Sequence, residues 1–447
     1  MTGRRPGGGR PVLAMVESNT TGTGRAFAAA AREGGLRPVL LSSRPDRYAW
    51  VAEDRVDVAR VDTSDPIAVA TGAEGVAVAS SAPLAGLLTS SEYFVAVTAR
   101  AAAGLGLPGP DPSAVEACRD KRRQRAVLEA AGVAVPAHAA AASAGEAAEV
   151  ALAIGFPVVV KPADGTGSRG VRLCRDSDEV LGQAAGLLAL RHDERGRPTL
   201  PAVLVEEYVE GPECSVETFG AEVVGVTAKH LGRLPTFVEI GHDFPAPPLP
   251  GSPDGAADAR GALAVAAVGA LGLGFGPAHT EIRLGPRGPV VIEVNPRLAG
   301  GRIPILVRLA TGLDLIGATV AAVTGETGPL PRPGSGHASI RFLVAPEAGR
   351  VRRIGGVAAA AAVPGVVDAA LIVRTGQRVG GHGSFLDRVG HVISAAPGAP
   401  AARTAAETAL GLLELDLDFD HDDAREVHQP PPRQAAPRLR PTTSGVA

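Results

Sequence analysis

Residues 288–302 read Gly-Pro-Val-Val-Ile-Glu-Val-Asn-Pro-Arg-Leu-Ala-Gly-Gly-Arg, an apolar strand pattern that ends in acidic, amide and arginine side chains. Glu293 and Asn295 stand two positions apart, so they lie on the same face of the strand. The preceding strand-like segment, His-Thr-Glu-Ile-Arg-Leu, carries Glu281 and is joined to it by the turn Gly-Pro-Arg-Gly. Together the two segments predict a hairpin with two carboxylates and an amide oxygen on one face, a ligand set suited to Mg²⁺ that bridges phosphates.

The alternative for this hairpin is a solvated surface face. Glu293 and Asn295 alternate with Ile292 and Val294, and burying an uncompensated acid among apolar side chains would be costly. Metal binding is therefore the favoured interpretation. Arg297 follows directly and could pair with a substrate carboxylate or a transferring phosphoryl group.

A glycine-rich loop is the second candidate site. Lys161 ends the strand pattern Phe-Pro-Val-Val-Val-Lys-Pro, and Ala-Asp-Gly-Thr-Gly-Ser-Arg-Gly follows before the next strand. Glycines such as Gly165 and Gly167 let backbone N–H groups close on phosphate oxygens, with Lys161 and Ser168 as further donors. The alternative is a flexible surface hairpin. Because no Gly-Lys-Ser/Thr ends the loop and no helix follows it, a Walker A motif is excluded.

The third candidate is Glu-Glu-Tyr-Val-Glu-Gly-Pro-Glu at 206–213, where two acids end an apolar strand. The backbone of such a strand end can offer N–H and C=O groups to an adenine edge. A carboxylate seven residues after the first acid, at Glu213, can accept both ribose hydroxyls. The alternative is a charged linker between domains.

The organisation along the chain predicts an α/β and α+β multidomain protein. An N-terminal βαβ pattern indicates a parallel sheet within 1–112, and Ser113 with Glu116 predicts a capping box for a helix that runs to Ala131. Ser143 and Glu146 predict a second such cap. The predicted boundaries are 1–112, 113–224, 225–335 and 336–424, followed by a disordered tail at 425–447.

Composition excludes several classes of function. The net charge is −3, and basic residues are spread along the chain, so nothing indicates a nucleic acid or an anionic membrane as a partner. No segment approaches the roughly 20 apolar residues of a membrane span, and three widely spaced cysteines indicate the cytoplasm. The acidic run at 416–423 is interpreted as a solvated charge run rather than a metal site.

The order of these motifs resembles the ATP-grasp superfamily, over roughly residues 10–400. The motifs are Lys121, Lys161 with its loop, the 206–213 motif, Glu281 and Glu-Val-Asn-Pro-Arg at 293–297. A closer resemblance is to its L-amino-acid ligase (carboxylate-amine ligase) branch. It rests on PTFVEIGHDFPAP at 235–247, GPAHTEIRL at 276–284, the segment 293–315, and GRVRRIGGVAAAAAVPGVV with GQRV at 349–379.

The resemblance implies an ATP-grasp fold: a Rossmann-like preATP-grasp domain, a small lid domain with a linker helix, a large domain with the metal site, and a C-terminal α+β subdomain. It also implies residue roles. ATP would be bound by Lys121, Lys161, Gly165, Gly167, Ser168, Glu206, Glu207, Val209 and Glu213, with Glu206 and the backbone of Val209 at the adenine and Glu213 at the ribose. Two Mg²⁺ ions, or Mn²⁺ in their place, would be bound by Glu281, Glu293 and Asn295. Catalytic roles would fall to Arg297, Lys161 and His279, substrate-side roles to Glu239 and His242, and Gly301 would leave space beside the substrate.

The implied reaction joins a small carboxylic acid, such as an amino acid, to an amine through an acyl phosphate, with release of ADP and phosphate. The chain is expected to work without nucleic acid or membrane, with a homodimer as the default assembly. Two alternatives remain open. One is another ATP-grasp ligase or carboxylase with a bicarbonate or ribonucleotide-type acceptor, and the other is a non-catalytic nucleotide-binding protein of the same fold.

Overall fold

The computed structural model describes residues 9–19, 22–249, 258–326, 328–331 and 334–419. The predicted tail at 425–447 lies outside them. The N-terminal unit is a parallel sheet of order β3-β2-β1-β4, as predicted. Its first strand reads Val-Leu-Ala-Met-Val with every residue buried, the pattern of a parallel strand covered on both faces. The elements are β1 (Val12–Val16), α1 (Thr23–Glu33), β2 (Arg37–Ser42), α2 (Ala49–Glu53), β3 (Asp57–Arg60), α3 (Pro66–Ala79), β4 (Leu84–Leu88) and α4 (Val95–Gly104).

Two short helices replace the single helix predicted over 113–131. They are α5 (Pro112–Arg119) and α6 (Lys121–Ala130). The predicted capping box of Ser113 and Glu116 is wrong, because the side chain of Asp111 accepts a hydrogen bond from the N–H of Ser113 and Pro112 occupies the first turn. Asp120 has an extended backbone and caps α6. The helix is therefore interrupted just before Lys121.

The small sheet, of order β5-β8-β6-β7, is antiparallel. Half of the capping box predicted for its first helix is confirmed, since the Ser143 hydroxyl accepts from the N–H of Glu146 at 3.1 Å. The carboxylate of Glu146 accepts from the N–H of Ala142 instead of that of Ser143. The glycine-rich loop joins two antiparallel strands, which also agrees with the prediction. The elements are β5 (His138–Ala141), α7 (Ala144–Ile154), β6 (Val158–Pro162), β7 (Arg172–Cys174), α8 (Ser177–Ala189) and β8 (Val203–Glu207).

The large sheet has eight strands in the order β13-β12-β9-β10-β11-β14-β18-β16, and a three-stranded sheet of order β17-β15-β19 packs beyond it. The elements are β9 (Glu213–Phe219), β10 (Glu222–Leu231), β11 (Glu239–Phe244), α9 (Ala259–Ala270), β12 (Pro277–Gly285), β13 (Gly288–Asn295), α10 (Ile303–Thr311), α11 (Leu315–Val323), β14 (His337–Val344), β15 (Gly349–Gly355), α12 (Val357–Ala361), β16 (Val366–Leu371), β17 (Arg378–Val379), β18 (Arg388–Ala396), α13 (Ala399–Leu410) and β19 (Glu414–Phe419).

The sheets do not follow two of the predicted domain boundaries. The boundary at 224/225 falls inside β10, and β9 from the predicted small domain pairs into the large sheet. Across the boundary at 335/336, β14 pairs with β11. The reason is long-range hydrogen bonding between strands, which local composition does not record. In the predicted acidic run, Asp416 and Asp418 lie on β19 beside Arg352, and 420–423 lie outside the described residues.

One apolar core joins the N-terminal unit to the large sheet. Leu13 and Met15 of β1 belong to the same buried cluster as Leu306 of α10 and Ile340 of β14. No single helix of the described ranges is long and apolar enough to cross a membrane. The pair α10 and α11 passes that test only together, across a bend of 108°, and both helices contribute to this core.

Candidate active site

A cavity of about 620 Å³ lies where the N-terminal unit, the small sheet and the large sheet meet. Its walls include every residue that the sequence predicts for ATP, for the metal or for catalysis. These are Lys121, Lys161, Gly165, Gly167, Ser168, Glu206, Glu207, Val209, Glu213, His279, Glu281, Glu293, Asn295 and Arg297. Segments more than 170 residues apart therefore converge on one space, which is the usual form of a small-molecule site.

The hairpin of β12 and β13 forms one wall, and Glu281 pairs directly opposite Glu293 in the register. The side chains of Glu281 and Glu293 are 21% and 18% exposed, so both reach the cavity. Burial raises the pKa of Glu281, but Lys229 and His279 together hold it well below its usual range. The carboxylate is therefore ionised and ready to bind a cation.

This oxygen set fits Mg²⁺ only with partners from a ligand. Among the described residues no group of three or more His, Cys, Asp or Glu side chains could hold a metal alone. Glu281, Glu293 and the amide of Asn295 supply three oxygens at the cavity wall. Mg²⁺ takes six and commonly completes its shell with phosphate oxygens and water. The residues thus fit an ion shared with a phosphate.

Lys161 lies at the end of β6 and is buried in an ion pair. Its Nζ lies 2.5 Å from Oε2 of Glu206, whose Oε1 accepts from Nε of Arg125 at 2.6 Å. Burial lowers the pKa of Lys161, opposed by Glu206, whereas Arg125 and Lys161 overcome burial and lower the pKa of Glu206 to about 2. The Glu206 carboxylate, predicted at the adenine, is thus engaged by two cations and orients Lys161.

Lys121, the first residue of α6, connects the glycine-rich loop to the β12–β13 hairpin. Its backbone N–H donates to the carbonyl of Ala163 at 2.9 Å. Its Nζ donates to the carbonyl of Gly165 at 2.9 Å and lies 3.1 Å from Oε1 of Glu293. The break at Asp120 is what places this lysine at the mouth of the loop.

The glycine-rich loop covers the same space. Gly165 and Gly167 have φ of +131° and +67°, which side chains with a Cβ rarely adopt. A Cβ on Gly167 would also collide with the ring of Phe385, a residue in the C-terminal part of the chain. The loop therefore depends on glycine both for its backbone and for this close approach.

Tyr208, Val209 and Glu213, from the segment that the sequence predicts for the nucleoside, also line the cavity. The guanidinium of Arg283 lies 5.0 Å from the ring centre of Tyr208. It also donates to the carbonyl of Val209 at 3.1 Å and has its Nε 3.4 Å from Glu213. No described group accepts from the N–H of Val209. Glu207 lies on the rim, paired with Arg287 at 2.7 Å.

The two predicted histidines have different surroundings. His279 has Nδ1 2.9 Å from Glu217 and Nε2 3.3 Å from Glu281. Burial would lower its pKa, but these carboxylates raise it to about 9, so the ring is protonated at neutral pH. His242 is fully buried and does not line the cavity, and burial lowers its pKa to about 3. Its ring lies against Gly301, where a Cβ would collide with it.

Comparison with known proteins identifies the family of this arrangement. The model of the ATP-grasp domain matches residues 154–305, and that of the L-amino acid ligase C-terminal domain 2 matches 341–418. The chain is 41% identical over 419 residues to the uncharacterized protein y4rH of Sinorhizobium fredii, across 94% of this chain and 85% of that protein. The chain belongs to the ATP-grasp family.

Two further relatives of this ATP-grasp chain are informative. Carnosine synthase 1 of Gallus gallus is 32% identical over 366 residues, which cover 74% of this chain but 37% of that enzyme. The crystal structure of the L-amino acid ligase from Bacillus licheniformis superposes with a TM-score of 0.75 at 20% identity, covering 92% of this chain and all of that one. The ATP-grasp fold and the resemblance to the L-amino acid ligase branch are thereby confirmed. Enzymes of this family generally use ATP with Mg²⁺.

Lys229, which was not among the predicted site residues, holds three acids of this ATP-grasp site together. Its Nζ lies 2.6 Å from Glu213, 2.8 Å from Glu239 and 3.1 Å from Glu281. Burial alone would lower its pKa, but the three carboxylates hold it well above its usual value. The available signal was a lysine within the otherwise apolar strand Val-Val-Gly-Val-Thr-Ala-Lys, where a buried charge needs partners.

Glu92, through which the N-terminal unit contacts Arg297, was also not predicted. Nε of Arg297 donates to one oxygen of Glu92, and Arg119 donates to the other at 2.6 Å. Glu92 is buried, which opposes ionisation, yet Arg297 and Arg119 lower its pKa to about 2. Nothing in the local sequence Ser-Ser-Glu-Tyr-Phe indicates this role, because its partners lie in other segments.

Proposed function

We propose that the chain is an ATP-dependent carboxylate–amine ligase that forms an amide bond through an acyl phosphate and releases ADP and phosphate. One observation carries this proposal: the acid-bearing β12–β13 hairpin faces Lys121, Lys161 and Arg297 across a single cavity in a chain with an L-amino acid ligase C-terminal domain. That set places cations where phosphate charge must be held and leaves space for two small substrates.

The nucleotide would lie between the small and large sheets. Lys161 and Lys121 direct their charge to its phosphates, and the N–H groups of the glycine-rich loop donate to phosphate oxygens. The free N–H of Val209 would meet the adenine edge, and Glu213 the ribose. Glu206 acts through Lys161, whose ammonium it holds in position.

Glu281, Glu293 and Asn295 would hold the metal, as two Mg²⁺ ions or Mn²⁺ in their place. When bound, the metal neutralises phosphate charge and orients the γ-phosphate for in-line transfer. Lys229 and protonated His279 keep Glu281 ionised and fixed for that role.

In the first step an oxygen of the acid's carboxylate attacks the γ-phosphorus, and the bond to the ADP oxygen breaks. In the second step the neutral amine attacks the acyl carbon, phosphate leaves with the C–O bonding pair, and the nitrogen loses a proton to the leaving phosphate or to solvent. Arg297, held by Glu92, is placed to stabilise charge on the acyl phosphate. We do not assign His279 the role of the base, because Glu217 and Glu281 raise its pKa and favour its protonated form.

The test is a matrix of amino acids and related acids and amines, assayed for phosphate release, with products identified by mass. We expect ADP, phosphate and an amide from at least one pair. Glu293→Gln should reduce kcat/KM on the order of 100-fold or more, since metal contacts supply several kcal/mol of charge stabilisation. The matched control is Glu210→Gln, an exposed acid outside the cavity, which should not change activity.

Two outcomes would contradict the proposal. Release of AMP instead of ADP would exclude the acyl-phosphate route. Turnover that requires bicarbonate and no amine would indicate a carboxylase of the same fold.

A further inference from the structure

Arg388, the first residue of β18, reaches the cavity from the C-terminal part of the chain. It lies within the segment 341–418, outside the nucleotide-binding segments. Its side chain is 12% exposed, so it is largely buried yet open to the cavity. No predicted role for the nucleotide, the metal or the reacting atoms uses it.

The guanidinium of Arg388 is fixed on two sides. Nε donates to the backbone carbonyl of Glu239 at 2.9 Å, and Nη2 donates to Oε2 of the same residue at 2.5 Å. One face stacks on the ring of Phe342, with Cζ 4.1 Å from the ring centre. An arginine held in this way loses little conformational freedom when it binds a further anion.

The third nitrogen of Arg388 is left for a ligand. No described residue accepts a hydrogen bond from Nη1, and Nη1 is not among the fully buried atoms that lack partners. The carboxylate of Glu239 has no second oxygen to offer to Nη1 of Arg388, because its Oε1 already contacts Lys229 at 2.8 Å. A donor on a fixed cation at a cavity wall is suited to a carboxylate.

The carboxylate bound here is not the one that reacts. Arg388 contacts Glu239, Glu239 contacts Lys229, and Lys229 contacts Glu281 of the β12–β13 hairpin. Two charged side chains therefore separate Arg388 from Glu281, whereas the reacting carboxylate must lie beside the γ-phosphate and the metal.

We propose that Arg388 is a specificity-determining residue that binds a non-reacting carboxylate of a substrate through Nη1. This inference rests on the proposed ligase function and names its substrate class. The carboxylate belongs either to an acceptor that is itself an amino acid or to a dicarboxylic acid donor. In both cases the product keeps a free carboxylate.

The test compares each substrate of a productive pair with its analogue that lacks the non-reacting carboxylate: the amino-acid amide for the acceptor, the monocarboxylic acid for the donor. Arg388→Gln should raise KM for one carboxylate-bearing substrate about 10- to 100-fold, the range of a charge-assisted hydrogen bond. KM for ATP and for the analogue should not change. The substrate that responds identifies the source, and Arg388→Lys should fall between the wild type and the glutamine variant.

Two control variants separate recognition from structure. Arg283→Gln removes the other stacked, carboxylate-paired arginine of the cavity and should raise KM for ATP instead. Arg403→Gln removes an arginine that pairs with Asp243 outside the cavity and should change neither constant. Circular dichroism checks that each variant is folded.

Thermal-shift titrations with the amino acid, the diacid and their analogues provide a readout independent of turnover. Arg388→Gln should abolish the shift from one carboxylate-bearing ligand only. An equal loss with the substrate and its analogue, or equal titrations for wild type and variant, would overturn the inference. Absence of amide from every wild-type pair would contradict the proposed function instead, and the titrations would still decide the role of Arg388.

Discussion

At the scale of single residues, Lys229 sets the charge balance of the site. Among the residues that the structure describes, its ammonium is the one cation that contacts all three of Glu213, Glu239 and Glu281, and its side chain is 2% exposed. Without it, each carboxylate would keep one cation, respectively Arg283, Arg388 and His279, but the three acids would lose the charge that holds them together. Removing one partner from a largely buried ion cluster is strongly destabilising, because the remaining charges are left with incomplete compensation.

Lys229→Met should therefore lower the free energy of unfolding by about 3–5 kcal/mol and abolish ligase activity. The measurement is urea denaturation followed by circular dichroism. Arg353→Met is the matched control, since Arg353 pairs with Glu414 at an exposed site and should cost less than about 1 kcal/mol. Equal losses of unfolding free energy in the two variants would show that the Lys229 cluster stabilises the fold no more than an exposed ion pair does.

Glu92 makes stability depend on pH. Its pKa in the fold is about 2, below the usual 4.5, because Arg297 and Arg119 outweigh burial. A lowered pKa stabilises the fold above pH 4.5, here by about 3 kcal/mol, and this stabilisation is lost as the pH falls towards 2. Glu92→Gln should be less stable near neutral pH, and its deficit relative to wild type should shrink on acidification. Denaturation at about pH 6 and pH 3 measures this; a constant deficit would contradict it.

The residue types at the site could be predicted from spacing, but their partners could not. Glu281, Glu293 and Asn295 were predicted because a strand has a period of two. The pairing of Glu92 with Arg297 joins segments about 200 residues apart, and no local pattern records it. The same limit applies to Glu206, whose carboxylate was expected at the adenine and instead contacts Lys161 and Arg125.

At the scale of elements, the polar segment 191–199, which we call the strap, links the small sheet to the N-terminal unit. Arg195 of the strap donates to the carbonyl of Ser18 and the hydroxyl of Tyr48, both at 3.1 Å. Glu194 contacts both the Tyr93 hydroxyl and Arg169 of the glycine-rich loop. The strap therefore connects the glycine-rich loop to the N-terminal unit.

Arg195→Ala should loosen this connection without disturbing either core. We expect faster limited proteolysis at the strap and the glycine-rich loop, and a fall in kcat/KM for ATP of about 3- to 10-fold, the effect of one or two lost hydrogen bonds. Arg191→Ala is the control, because that strap side chain is exposed and makes no described contact. Unchanged proteolysis of the Arg195 variant would exclude a linking role for the strap.

The sequence predicted the elements near the site better than their ends. The loop, the hairpin and the cap at Ser143 follow from local patterns. The start of α5 was assigned the wrong cap, because Ser113 and Glu116 match the spacing of a capping box while Asp111 supplies the actual cap. The break at Asp120, which caps α6 and places Lys121 at a helix start beside the loop, was not predicted.

At the scale of the whole molecule, the site depends on all parts of the chain. The small sheet supplies Lys161, the large sheet supplies the β12–β13 hairpin, the N-terminal unit supplies Glu92, and the C-terminal part supplies Phe385 and Arg388. The predicted boundaries at 224/225 and 335/336 do not reflect this dependence, because the strands around both boundaries belong to the same eight-stranded sheet. The parts are therefore expected to respond together to a ligand.

A bound nucleotide with its metal should stabilise the entire chain rather than one unit. An ATP analogue that resists hydrolysis, at about 100 times its Kd, contributes about 2.7 kcal/mol to the folded state, which predicts a single transition raised by a few degrees. The increment should require Mg²⁺ and vanish with EDTA. It should be lost in Glu293→Gln and kept in Glu210→Gln. Differential scanning calorimetry distinguishes these outcomes. Two separate transitions, with only one shifted by the analogue, would mean that the cavity does not couple the units, because a ligand held by all of them must oppose the unfolding of each.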